Sequence, residues 1–339
     1  MQTKKQNKNV LVGVGLDTIQ CDIPTEYELM ENEHVFVSPK TGIEIGKLTR
    51  KQGQERGYRL NLCLPKSIRQ DNVKPFTVLD AFHLYEVGQM ITVQMQELFG
   101  KSFPQLYVST AEVNATAELE NNVIVESMLK LLSLMFLSGG EKLFLCVRGT
   151  KTGRRYDKIS SLPSGAQIES LRTPRTSNSR CSHKFYDKGI EQGIEDRGVL
   201  RLETIYNRRG LDFARTGKTL FEFLSVGSIK SLLKTYRADY RSYVIERYWN
   251  NAGHPFYEQM VEIITNDLAL YKHPVAVAIM NRTLVELDYA LFKRASYAYY
   301  DKRNSANQAI SRVRRSGEIV ITEGVIDAFV TLSRAIVYG

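Results

Sequence analysis

The sequence has little of what builds metal ribbons, disulfide frameworks or membrane spans. Its four cysteines, Cys21, Cys63, Cys146 and Cys181, form no Cys-x-x-Cys pair, which argues against a zinc ribbon and against a disulfide scaffold. The five histidines supply neither His-x-His nor His-Glu-x-x-His, and no Ser/His/Asp context is present. The most apolar stretch, Val123–Leu137, carries Glu126 and Lys130 and is too short to span a bilayer. No signal-peptide pattern opens the chain, which begins Met1-Gln2-Thr3-Lys4-Lys5. Val10–Leu16 contains Gly13-Val14-Gly15 but no third glycine and no following helix, so the dinucleotide fingerprint fails. Gly217-Lys218-Thr219 lacks a phosphate-loop glycine five residues earlier, where Asp212 stands. These absences leave a soluble intracellular protein with no membrane partner.

What is present is ordinary globular composition, 43% hydrophobic and 24% charged, with a formal net charge of +9 over 339 residues. That length suggests roughly two domains at about 150 residues each, and the charge points to a polyanionic partner. Residues 1–9 read as a disordered basic tail. Val10–Leu16 suits a buried strand, and residues 34–64 alternate strand runs with turn residues, a β-meander. Leu84–Phe99 has helical periodicity, stopped by Gly100. Leu106–Leu119 is a strand followed by an amphipathic helix over Asn121–Leu137. Leu143–Arg148, Ser182–Lys188 and Val199–Asn207 are further strands, and one more lies near Gln167–Leu171 in an otherwise loop-like segment. Beyond residue 210 the pattern turns helical, over Thr219–Leu224, Ser228–Trp249, Pro255–Tyr271 and Asn281–Lys302, with turn signals at Gly227, Gly253 and His273-Pro274. The fold class is α+β: a sheet-bearing domain over residues 10–215, then a mainly helical domain over 216–339.

Three strand segments carry chemistry. In Ser182–Lys188, Lys184, Tyr186 and Lys188 would share one strand face. A phenol flanked by ammonium groups suits attack on a phosphodiester, because the cations lower its effective pKa and hold phosphate charge. A surface tyrosine on a basic strand is the plainer alternative. Tyr-Asp-Lys occurs three times, at Tyr156, Tyr186 and Tyr300, and only the second lies on a strand just before Arg201-Leu202-Glu203. Arg201 and Glu203 share a face with apolar Val199 and Ile205. A charged pair there is costly unless paired or bound. It is either a structural ion pair or a metal carboxylate beside a phosphate-binding arginine. The polar face of the earlier strand carries Glu112, Asn114, Thr116 and Glu118. Glu112 and Asn114 would suit Mg²⁺, which favours oxygen ligands, with Glu203 from a neighbouring strand; a solvated strand face is the alternative.

Basic residues interleave with aromatics in four clusters. One is Lys151, Arg154, Arg155 and Tyr156, and a second is Arg172, Arg175 and Arg180. A third, on one helix, is Tyr236, Arg237, Tyr240, Arg241, Tyr243, Arg247 and Tyr248, and the fourth is Arg312, Arg314 and Arg315. Lysine and arginine contact phosphates and tyrosine stacks on unpaired bases, so these clusters and Lys184 are candidate DNA contacts.

Three segments in order, Val108-Ser109-Thr110-Ala111-Glu112-Val113-Asn114-Ala115-Thr116, His183-Lys184-Phe185-Tyr186-Asp187-Lys188-Gly189-Ile190-Glu191-Gln192 and Gly198-Val199-Leu200-Arg201-Leu202-Glu203-Thr204-Ile205-Tyr206, carry a resemblance. The chain resembles the filamentous-phage gene II/X rolling-circle replication initiators, and is similar to the replication initiation factors of rolling-circle plasmids. The resemblance covers about residues 10–210 in element order, with its specific core in 105–120 and 180–206. It implies an antiparallel-sheet nicking domain followed by a helical DNA-binding or accessory domain. It implies site-specific, divalent-metal-dependent nicking and rejoining of origin DNA through a 5′-phosphotyrosyl intermediate. Tyr186 would be the nucleophile, Lys188 would hold phosphate charge, Arg201 would be a phosphate or structural partner, and Glu203 would bind Mg²⁺ or Mn²⁺. Relatives usually read Arg-Ile-Asp where this chain has Glu112-Val113-Asn114, so Glu112 or Glu118 would compensate, or other residues bind the metal. Partners implied are origin DNA, single- and double-stranded, in the cytoplasm of a bacterial host cell, with host helicase and polymerase and a homo-oligomer as further candidates. A non-catalytic DNA-binding regulator and a host-derived RNA-binding protein are the rival readings.

Overall fold

A computed structural model of the chain describes residues 10–23, 33–51, 57–100, 103, 105–148, 150, 153–158, 167–174, 179–194 and 196–339. The basic tail at 1–9 lies outside the described residues, as do Lys151 and Arg175. The fold is α+β. Its strands are β1 (Val10–Ile23), β2 (Glu33–Val37), β3 (Glu44–Arg50), β4 (Tyr58–Cys63), β5 (Tyr107–Leu119), β6 (Leu143–Val147), β7 (Arg154–Tyr156), β8 (Ile168–Arg172), β9 (Cys181–Asp187) and β10 (Gly198–Asn207). They form one antiparallel sheet in the order β2-β3-β4-β1-β5-β10-β9-β8-β6-β7. The meander expected over residues 34–64 is the β2-β3-β4 end of the sheet. The short β7 inside the polar segment after residue 149 is an addition that its charged sequence, Arg154-Arg155-Tyr156, did not signal.

Alternation sorts the two faces. Ala111, Val113, Ala115, Ala117 and Leu119 of β5 and Leu200, Leu202 and Tyr206 of β10 are buried on the back face, as period-two strands with one apolar face require. The helix Asn122–Ser138 covers that face. It starts at Asn121, whose side chain accepts from the Ile124 amide at 3.0 Å, and ends at Gly139. A Cβ on Gly139 would lie 2.5 Å from the Tyr248 ring, so the glycine lets the next helical layer approach.

That layer departs from the sequence reading in three places. Ser228–Trp249 is a longer unit, the helix Val226–Tyr240 continued by a π-helical run Arg241–Gly253. Gly227 and Gly253 therefore lie inside helical segments and mark no turn. A Cβ on Gly253 would lie 2.7 Å from Trp249 and 2.9 Å from the Met135 sulfur, so close packing is what needs this glycine. Asn281–Lys302 divides into Arg282–Leu287 and Tyr289–Tyr299 at Asp288, whose carboxylate accepts from Ala290 at 2.9 Å and Ile326 at 3.2 Å. His254–Tyr271, which meets the expected Pro255–Tyr271, and the helices Pro274–Met280, Arg303–Ser316 and Val325–Tyr338 complete the layer. One hydrophobic cluster runs from Val14 in β1 through Leu232 to Ile336. Among the described residues, no helix is long and apolar enough to cross a membrane.

Candidate active site

The uncovered part of the front face carries the polar residues of β5, β10 and β9. Pairing sets Glu203 opposite Asn114 and Lys184, and Arg201 opposite Thr116 and Tyr186, so all six share one face. β1 adds a residue that the sequence reading missed. Its register with β5 shifts between Leu16 and Ile19, placing Asp17 and Thr18 at an irregularity near Glu112. One carboxylate oxygen from each of Asp17, Glu112 and Glu203 then lies within 4.8 Å of the others. The sole hint in the sequence was an acidic residue interrupting the apolar run that begins at Val10. Glu118 stands apart from this cluster and pairs with Arg197 at 3.6 Å.

The three carboxylates can hold a divalent cation: they are oxygen ligands, clustered and largely dehydrated. Burial, then the charges of Glu203 and Asp17, push the Glu112 carboxyl up to about 7. Burial also raises Glu203. Asn114 is fully buried between Gly15 and Glu203 in register. Its Oδ1 accepts from the Thr116 hydroxyl at 3.0 Å and its Nδ2 has no hydrogen-bond partner, so its amide oxygen is turned toward Thr116.

Tyr186 donates its phenolic hydrogen to Glu203 Oε2 at 3.2 Å. The Lys184 ammonium lies 4.0 Å from its ring centre and that of Lys188 5.9 Å. The flanking cations were expected to lower the phenol pKa. Here burial and the Glu203 carboxylate raise it, and Arg201 offsets this in part. A bound dication would reverse that local sign.

Lys188 is not on the strand. It opens the short helix Lys188–Gln192, because Asp187 caps the turn by accepting from Ile190 at 3.1 Å and Gly193 closes it in the left-handed region. Lys188 nevertheless lines the same cavity, and its buried ammonium donates to Glu191 at 2.9 Å. Burial and Arg201 lower its pKa.

Arg201 is fully buried. It donates to Asp17 at 2.8 Å, Thr116 at 3.2 Å, the Val73 carbonyl at 2.8 Å and the Asn72 carbonyl. Its partner is thus Asp17 and not Glu203, and its nitrogens are all occupied by protein acceptors. The backbone around Phe76 can lie against β1 because Gly15 has no Cβ; one would meet the Phe76 carbonyl oxygen at 2.3 Å. A cavity of about 520 Å³ opens onto Asp17, Glu112, Glu203, Tyr186 and Lys188 and extends past Lys184, Arg172 and Phe144.

The other candidate DNA contacts scatter. Register puts Arg155 on the site face, opposite Phe144, and Arg154 opposite buried Leu145. Arg180 pairs with buried Asp239 and stacks 3.9 Å from the Phe213 ring centre. Arg237 and Arg241 line a separate groove with Lys230 and Lys234. Arg312, Arg314 and Arg315 are exposed on their own helix. Tyr236, Tyr240 and Tyr248 are buried in the core, so they present no ring to a base.

No protein-family model matches the chain, and no curated protein does. One solved structure that it matches is a rolling circle replication initiator protein from Geobacillus stearothermophilus, at 12% identity and a TM-score of 0.31, covering 68% of this chain and 86% of that one. The likeness is a distant one at the level of fold.

Proposed function

We propose that the chain is a rolling-circle DNA replication initiator that nicks and rejoins one strand of origin DNA through Tyr186. The observation that carries this reading is the placement of the Tyr186 hydroxyl 3.2 Å from Glu203, within a cluster of three carboxylates that opens on a cavity. In the proposed reaction the phenolic oxygen attacks the scissile phosphorus. An oxygen–phosphorus bond forms, the bond to the 3′ oxygen breaks, and the 5′ phosphate stays on the tyrosine while a 3′ hydroxyl departs. Glu203, 3.2 Å from the phenol, would accept the phenolic proton and pass it to the departing 3′ oxygen. Lys184 and Lys188 stand beside the ring where phosphate charge would gather. Asp17, Glu112 and Glu203 would hold Mg²⁺ or Mn²⁺, which when bound stabilises phosphoryl charge and favours the phenolate. Rejoining is the reverse displacement by a 3′ hydroxyl.

Covalent capture tests the reading. Incubation with Mn²⁺ and single-stranded origin fragments should yield a denaturant-stable protein–DNA adduct that Tyr186→Phe lacks. An adduct that persists in Tyr186→Phe would show the wrong nucleophile. Failure of every origin fragment to give one would leave a DNA-binding regulator.

A further inference from the structure

The outer strands extend the site sideways. Along one register row, Glu203 pairs with Lys184, Lys184 with Arg172, Arg172 with Phe144 and Phe144 with Arg155. Paired residues share a face, so cation, cation, aromatic ring and cation follow one another from the carboxylates to the sheet edge. The next row is Arg201, Tyr186, Ser170 and Cys146. Beyond Tyr186 its side chains are small, and the cavity is lined by Ser170, Cys146 and Gly153 as well as by Arg172 and Phe144. A trough floored by small residues therefore runs from the Tyr186 hydroxyl across β8 and β6 to β7. At the usual strand spacing its length is about 14 Å.

We propose that this trough seats single-stranded DNA next to the scissile linkage, with one unpaired base stacked on Phe144 and phosphates on Lys184, Arg172 and Arg155. Phe144 is 42% exposed between Arg172 and Arg155 in register, where an aromatic ring gains little from the core. Arg172 and Arg155 form no ion pair or hydrogen bond among the described residues, so both guanidinium groups are available to phosphate. A ring between two cations suits a base whose face is free. In a duplex that face is already stacked on its neighbours, so the arrangement selects a single strand. The proposal rests on the nicking reading for its orientation toward Tyr186, and on the register row alone for its ligand.

Binding measured in a Tyr186→Phe background separates the two. The probe is fluorescein-labelled oligothymidylate of about twenty nucleotides, a length that exceeds the trough. Phe144→Ala should weaken its binding roughly tenfold, and Phe144→Tyr should retain it. On a fully abasic oligomer of the same length, Phe144→Ala and its parent should bind alike, which a merely structural role for the ring would not produce. Arg172→Ala should reduce the salt dependence by about one phosphate contact. Undiminished binding by Phe144→Ala, full affinity in Phe144→Leu, or equal affinity for the matching duplex or RNA would overturn the proposal. An adduct that forms through Tyr186 while Phe144 proves irrelevant would leave the nicking reading intact. The stacking pattern without any adduct would remove the nicking reading alone.

Discussion

Arg201 Nη1 donates to Asp17 Oδ2 at 2.8 Å, joining residues 184 positions apart with both side chains buried. The bond sits where β1, β5 and β10 come together and gives one of three crowded carboxylates an opposite charge. Asp17 in turn holds the Arg201 guanidinium charged against the cost of its burial. Arg201→Met should leave Asp17 buried without its charged partner and lower unfolding free energy in urea by about 3–5 kcal/mol. Adding Asp17→Leu should recover a large part of that loss, since two apolar groups replace a buried pair more cheaply than one lone charge. Equal stability of Arg201→Met and the parent would show that the pair contributes nothing.

The carboxylate cluster should respond in opposite senses with and without metal. Glu112 is held up to about 7 by burial and by Glu203 and Asp17. Its ionised form therefore costs stability at slightly alkaline pH when no cation is present. Glu112→Gln should raise the melting temperature in chelator at pH 8. The same variant should lose most of the melting-temperature gain that millimolar Mn²⁺ gives the parent, because ligand binding to the folded state is what stabilises it. An Mn²⁺ response that survives both Glu112→Gln and Asp17→Asn would place the cation elsewhere.

Two neighbouring glycines in β1 should differ. A Cβ at Gly15 meets the Phe76 carbonyl oxygen at 2.3 Å, whereas at Gly13 the nearest atom is a Thr77 methyl at 3.4 Å. Gly15→Ala must push away the backbone that precedes Thr77, the segment whose Asn72 and Val73 carbonyls accept from Arg201. We expect it to cost about 1–3 kcal/mol, as overpacking does, and Gly13→Ala to cost clearly less. Chemical denaturation of the two variants side by side reads the difference.

His183 sets a pH dependence of stability. It is buried, stacks 4.4 Å from the Tyr243 ring centre and shares a 3.0 Å hydrogen bond with Thr204. Burial lowers its pKa to about 4 from an ordinary 6.5. Below 6.5 the unfolded chain takes up a proton that the folded chain refuses until about 4, so this stability is whole above 6.5 and is lost as pH falls toward 4. The loss is on the order of 3 kcal/mol. Urea midpoints of parent and His183→Phe between pH 7 and 4 should converge on acidification. Parallel curves would show that His183 takes up its proton in the fold as readily as in the unfolded chain.

Local structure was legible where a periodic pattern carried its own boundary signal. Leu84–Phe99 stops at Gly100 as the sequence indicates, and the helix expected over Asn121–Leu137 runs over Asn122–Ser138. Lys188 was misplaced because the residue types of a strand and of a capped turn overlap at Asp187-Lys188-Gly189. The helical boundaries after residue 226 were blurred because Gly227 and Gly253 signal turns by composition but lie within helical segments, Gly253 against Trp249 and Met135. The tyrosines of Val226–Gly253 read as base platforms beside their arginines, yet three of them are core side chains.

The sequence by itself determined the α+β class, the polar front face of β5 and β10 and the placing of Tyr186 on a strand, because each follows from side-chain periodicity within a few residues. Only the tertiary structure decided which charges meet. Asp17 joins Glu112 and Glu203 through strand order and a register shift, Arg201 finds Asp17 and not Glu203, and Lys184, Arg172, Phe144 and Arg155 align across four strands. Such meetings depend on pairing between segments far apart in the chain, and a single-residue slip would send each side chain to the opposite face.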